Sequence, residues 1–184
     1  MKISTFDIRG PLLVEPKVFS DDRGYFFESY KQSALDEAAG RPIRFVQSNQ
    51  SYSAARGTVR GLHYQSPPHA QAKLVRCVTG TIRDIIVDVR ADSPTRGQSI
   101  SVELSADNHL QLFVPEGFLH GFATHTPDCL VSYQVTDVYS AECDGSVRWN
   151  SPSLGLDWGV SEDEAVLSGK DAQAPFFEGW TSPF

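Results

Sequence analysis

The chain has 184 residues, 40% of them hydrophobic and 21% charged, with a formal net charge of −7. That length fits one domain spanning 1–184, large enough to bury a core without staples, and the balance is globular rather than disordered. The charge argues against a nucleic-acid partner, although a small anionic ligand needs only local arginines and lysines.

No apolar run approaches the roughly 20 residues of a membrane span. Met1-Lys2-Ile3-Ser4-Thr5-Phe6-Asp7 lacks the apolar stretch of a signal peptide. The expectation is a cytoplasmic protein with no membrane partner. Cys77, Cys129 and Cys143 have no close pairing, so they read as separate reduced thiols rather than a disulfide framework.

Short β-rich runs separated by turn residues dominate the chain. Leu12 to Phe19 leads into the turn cluster Ser20-Asp21-Asp22-Arg23-Gly24, and Tyr25 to Tyr30 resumes an aromatic strand. Gln32 to Ala39 has good helix formers and stops at Gly40, a C-terminal cap. Further strands are expected at Thr58 to Tyr64, Lys73 to Val78, Ile82 to Val89, Ser99 to Leu104, Gln111 to Val114 and Leu130 to Val135. Thr79-Gly80 reads as a hairpin turn, Ser105 to Asn108 as a connecting turn, and Ser161 to Leu167 as another short helical turn or two. Many short strands with little helix point to a sandwich or jelly roll.

Val59-Arg60-Gly61-Leu62-His63-Tyr64-Gln65 places an arginine and a histidine on one strand. Their odd spacing would turn them to opposite faces of a flat strand, whereas a bulge at Gly61 would re-aim them. A structural histidine and a functional one both fit this pattern. Lys73 shares a strand face with Val75, so its amine either points inward, which requires a partner, or snorkels at the strand end.

Pro115-Glu116-Gly117-Phe118-Leu119-His120 has the proline-x-glycine-x-x-histidine spacing that resembles the second signature of the cupins, which are double-stranded β-helix jelly rolls. The metal-binding cupins' first signature, a histidine-x-histidine pair followed by a glutamate, is not matched. Gln65 stands two places after His63, and the later ionisable position is Lys73, whose charge repels a divalent ion. His69, His109 and His125 lack ligand spacing with His120. No metal is expected.

Together these segments resemble the dTDP-4-dehydrorhamnose 3,5-epimerase family, from about Leu13 to Pro175. The resemblance rests on six blocks in order, beginning at Asp22, Phe45, Val59, Ala72, Pro115 and Leu167. It implies a mostly β, cupin-like jelly roll with short peripheral helices, and epimerisation of dTDP-4-keto-6-deoxyglucose at C3 and C5 to dTDP-4-keto-L-rhamnose. By the resemblance His63 is the base, Tyr133 the opposing acid, Asp171 the group orienting His63, and Lys73 the cation near the C4 oxygen.

Arg23, Glu28, Gln47, Ser48, Asn49, Arg60, His120, Tyr139, Asp144 and Lys170 would bind nucleotide or sugar. Phe27 would be either a thymine wall or core. Asp144 stands where relatives often carry glutamate, so its contact would be shortened or lost, and Ala141 where they often carry proline. A homodimer whose N-terminal region exchanges contacts with its neighbour is also implied. The rival readings are a C3-only or C5-only epimerase, a non-catalytic sugar-nucleotide-binding cupin, and a metal-dependent oxygenase.

These residue types suit the chemistry. A C4 ketone acidifies the hydrogens at C3 and C5, so the site needs a base on one face, an acid on the other and a cation at the oxygen. Histidine near neutrality serves as base. Tyrosine, with an ordinary pKa of ~10, keeps its proton for delivery, and lysine stabilises the enolate oxygen. The reaction is redox-neutral, so no nicotinamide is required, and no glycine-rich dinucleotide loop occurs.

Overall fold

A computed structural model describes residues 1–184. Thirteen strands and two short helices follow in chain order: β1 (Lys2–Thr5), β2 (Leu12–Glu15), β3 (Val18–Asp21), β4 (Gly24–Phe27), α1 (Gln32–Ala39), β5 (Gln47–Ser53), β6 (Val59–Gln65) and β7 (Lys73–Thr79). After them come β8 (Thr81–Asp88), β9 (Ser99–Ser105), β10 (Gln111–Val114), β11 (Phe118–Thr124), β12 (Cys129–Val135), β13 (Asp144–Ser146) and α2 (Gly169–Ala172). One antiparallel sheet has the order β1-β2-β10-β7-β12-β5, the other β13-β6-β11-β8-β9, and β3–β4 form a separate hairpin. Two facing antiparallel sheets make the expected jelly roll.

Strand alternation builds the core. Val75, Leu112, Val114 and Val131 of the first sheet meet Ile82, Ile86, Phe118 and Phe122 of the second. Cys77 and Cys129 lie in this cluster as free thiols, and burial pushes Cys77 up to about 12, so it behaves as a small apolar group. The outer face of the second sheet is covered by C-terminal chain, with Val147, Trp149 and Trp158 packed on Ile85, Val87 and Leu119. On the first sheet's outer face, α1 inserts Leu35 among Val14, Leu74 and Phe113. Gly40 ends α1 in the left-handed region at φ 66°, its N–H donating to Glu37 O.

Three expectations need correction. Thr79-Gly80 does not close a hairpin, because β7 and β8 belong to different sheets; Gly80, at φ 79°, turns the chain from one layer to the other. Ser161 to Leu167 is not a helix. Ser161 and Glu164 close a turn and Val166 bridges to Thr58, so the backbone is satisfied against the β6 strand instead. The Leu12-to-Phe19 run is two strands broken at Pro16-Lys17, the first in the main sheet and the second in the hairpin.

Candidate active site

A cleft lies between the two sheets, lined by residues of β5, β6, β7, β12 and β13. His63 of β6 lies on one side, with Lys73 of β7 and Tyr133 of β12 on the other, and Gln47, Asn49, Tyr139 and Asp144 complete the rim. Its volume of about 210 Å³ is below the ~300–1,000 Å³ that encloses a whole drug-sized ligand. A larger ligand must therefore extend across the rim.

A β-bulge solves the spacing problem in β6. Phe122 pairs with Arg60 while His120 pairs with His63, so two steps on β11 match three on β6. Val59 and Leu62 stay on the outer, apolar face. Arg60 and His63 both turn inward. Gly61 permits this because it adopts φ 129° and its Cα side runs against Gly121, where an added Cβ would sit 2.6 Å from the Gly121 Cα.

His63 Nε2 lies 2.5 Å from Asp171 Oδ1. The carboxylate fixes Nε2 as the donor and leaves Nδ1 as the ring's basic atom. Asp171 is itself held by α2, since Ser168 Oγ donates to Asp171 Oδ2 at 2.9 Å and accepts from the Asp171 N–H at 3.1 Å. Burial alone would raise Asp171. Hydrogen bonds from His63 and Ser168, with the Lys170 ammonium nearby, outweigh it and hold the carboxyl below its ordinary value.

Facing this dyad, burial pushes the Tyr133 phenol up, helped by Asp144 and opposed by Arg60, so the hydroxyl keeps its proton. Burial lowers Lys73 to about 8; the Asp84 and Asp144 carboxylates resist the change, while Lys170 adds to it. Lys73 lines the cleft with His63 and Tyr133, so it points inward on the face it shares with core Val75 rather than snorkelling. His120 is buried against Asp84, with Nε2 3.1 and 3.0 Å from the two carboxylate oxygens. Burial lowers its pKa and favours the neutral ring.

The remaining expected residues divide. Arg60 donates to Ser53 Oγ and to the Tyr52 carbonyl, and its charge reaches Tyr133. Lys170 and Tyr139 both bond Asp144 Oδ2, so groups of the protein itself hold this aspartate at the rim. Ser48 is turned away from this cleft. It is exposed on the opposite face of β5 from Gln47 and Asn49, beside Arg76 and Gln134, because side chains alternate along a strand.

Arg23 and Glu28 are not brought to His63 within this chain. Arg23 is 90% exposed on the hairpin and pairs with Asp21, and Glu28 is exposed just beyond β4. Phe27 stacks with Tyr25 and His109 under the Arg76 guanidinium, outside the cleft. Asp84 went unnoticed in the sequence, although a carboxylate in the apolar run Ile82 to Val87, in phase with inward Ile82 and Ile86, was a signal for it. No group of three or more His, Cys, Asp or Glu side chains converges as a metal ligand set.

A family model described as dTDP-4-dehydrorhamnose 3,5-epimerase matches residues 5–179. The chain is 47% identical over 167 residues to the dTDP-4-dehydrorhamnose 3,5-epimerase of Salmonella typhimurium, covering 91% of this chain and 90% of that protein. The crystal structure of the Elizabethkingia anophelis enzyme of the same name superposes with a TM-score of 0.93 at 42% identity, covering 99% of both chains. The Legionella pneumophila 3,5-epimerase, solved in complex with dTDP-4-keto-L-rhamnose, gives 0.91 at 39% identity over 97% of this chain and 93% of that one. The chain belongs to the dTDP-4-dehydrorhamnose 3,5-epimerase family.

Proposed function

We propose that the cleft carries out the family reaction, converting dTDP-4-keto-6-deoxyglucose to dTDP-4-keto-L-rhamnose by inversion at C3 and C5. The observation that carries this reading is the placement of an Asp171-held imidazole on one sheet and a protonated Tyr133 with Lys73 on the facing sheet, around one cleft. His63 Nδ1 takes the proton from the carbon next to the C4 ketone. The electron pair moves into the enolate, whose oxygen the Lys73 ammonium stabilises. Tyr133 returns a proton to the opposite face, and both groups re-equilibrate with water before the second carbon reacts.

The C4 ketone acts as the electron sink at both carbons, so each inversion is redox-neutral. Nucleotide and diphosphate would lie along the rim, among Gln47, Asn49, Arg60, Tyr139, Asp144 and Lys170, with buried His120 reaching the sugar from beneath. Their remote contacts orient the sugar. Arg23 and Glu28 would join from the hairpin of a second copy in a homodimer, a reading supported by the exposure of Phe19, Tyr25 and Phe26 there. Ser48 would contribute from the outer face of β5 or through its backbone. No helix is long and apolar enough to cross a membrane.

Incubation of the enzyme with dTDP-4-keto-6-deoxyglucose in heavy water, followed by NMR, tests the assignment. Wild type should incorporate deuterium at C3 and C5 and yield the L-rhamno product. His63→Ala should lose exchange at both carbons through kcat. Tyr133→Phe should retain exchange but lose inversion, because the enolate can be reprotonated only from the His63 side. Exchange at one carbon alone would reassign the enzyme as a single epimerase. Normal exchange in a folded His63→Ala protein would remove His63 from the base role.

A further inference from the structure

The segment between β12 and β13 carries Tyr139 to the rim and leads into Asp144 at the start of β13, yet residues 137–140 have no strand partner. Side chains satisfy their backbone instead. Gln71 Nε2 donates to the Asp137 carbonyl at 2.7 Å, and Gln65 Nε2 donates to the Val138 carbonyl at 2.9 Å. The Tyr139 N–H donates to Gln47 Oε1 at 3.2 Å, and the Ser140 N–H donates to Gln65 Oε1 at 2.9 Å. Gln65 Nε2 also donates to the His69 carbonyl at 2.5 Å. Three glutamines that line the cleft therefore hold four consecutive residues, among them the rim residue Tyr139.

We propose that Gln65, with Gln71 and Gln47 beside it, is a positioning residue that fixes the 137–140 segment so that Tyr139 and Asp144 meet the ligand. The inference rests on the reading that this cleft takes a nucleotide-linked sugar. Residue type argues for it. Gln65 faces two carbonyls and one N–H, and only a carboxamide offers two donors and an acceptor in that volume. A carboxylate would set a negative oxygen against both carbonyls, and an aliphatic chain would strand all three groups.

Gln65 is only 5% exposed, so its bonds form where a lost partner costs most. The strand alternation that turns His63 toward the chemistry also turns Gln65 inward, two residues along β6. The position where a metal-binding cupin carries its second histidine is spent here on the wall of the cleft.

Gln65→Glu keeps the size and removes the donors. With the Val138 carbonyl released, the KM for dTDP-4-keto-6-deoxyglucose and the Kd for dTDP should each rise by about 10-fold. Because the clamp's hydrogen bonds go to residues 137–140 and not to His63, Tyr133 or Lys73, KM should change more than kcat. Gln71→Leu, which releases only the Asp137 carbonyl, should shift KM in the same direction by less, and it decides the matter if Gln65→Glu does not fold. Unchanged KM and Kd in the folded variants, or a loss confined to kcat, would overturn the clamp. A wild type that neither turns over this sugar nor binds dTDP overturns the functional reading itself, before any variant is compared.

Discussion

Lys73 shows how a single residue's environment sets its use. A lysine that begins a strand and is flanked by apolar residues normally reaches for water. Here it shares a cleft with His63 and Tyr133, and burial brings it down to about 8 while Asp84 and Asp144 keep it from falling further. We expect kcat/KM to decline above about pH 8 as the ammonium that stabilises the enolate is lost. Stability should move the other way. The folded value lies below the ordinary 10.5, so between the two the unfolded chain holds the extra proton, and this group's contribution to stability rises with pH. Paired rate profiles and melting curves check both signs. Lys73→Met should depress exchange at both carbons and abolish the alkaline limb; an unaltered limb in that variant would assign it to another group.

At the scale of the element, the β6 bulge decides whether the site exists. Regular alternation would send Arg60 outward whenever His63 faces in. The three-for-two match against β11 puts both inside, and it depends on the close approach of Gly61 to Gly121. Gly61→Ala would place a Cβ 2.9 Å from the His120 carbonyl oxygen, on a residue at φ 129°. We expect a loss of stability of about 2–4 kcal/mol from the strained backbone and overpacking together. Activity should fall even in the folded fraction, because relaxing the bulge moves Arg60 relative to His63. A melting temperature and kcat/KM close to wild type would show that β6 tolerates the side chain. The α2 turn is the complementary device: four residues long, it serves to aim one carboxylate, with Ser168 capping the turn and bonding the Asp171 side chain.

Across the whole molecule, the least satisfied feature is the β3–β4 hairpin. It pairs with no other strand and exposes Phe26 at 69%, Tyr25 at 60% and Phe19 at 54%. The outer face of β5 is equally bare, with Ser48, Gln50 and Tyr52 exposed. Neighbouring exposed aromatics of this kind mark an interaction surface. We expect a homodimer in sedimentation, with Phe26→Asp shifting it toward monomer and weakening dTDP binding in parallel, since Arg23 lies on the same hairpin. A monomeric wild type with full activity would leave Arg23 and Glu28 without a role in the chemistry.

The sequence alone determined the fold class, most strand positions, α1 with its Gly40 cap, and the family blocks that hold His63, Lys73 and Asp171. These are written in local features: a period of two, turn residues between runs, a glycine after helix formers, and ordered motifs. Polar β5 carried no hydrophobic alternation and was missed as a strand, since its inner face lines the cleft with Gln47 and Asn49 and its outer face is exposed. The sequence also could not say that Thr79-Gly80 joins two sheets, because a corner and a hairpin use the same turn residues. Whether Arg60 shares a face with His63, whether Lys73 points inward, and which side chains bind residues 137–140 were decided only by the tertiary structure. Each depends on pairing partners distant in sequence: Gly121 against Gly61, Asp84 behind Lys73, Gln65 beneath Val138. Register and burial are properties of the assembled sheets, and no local window of the chain contains them.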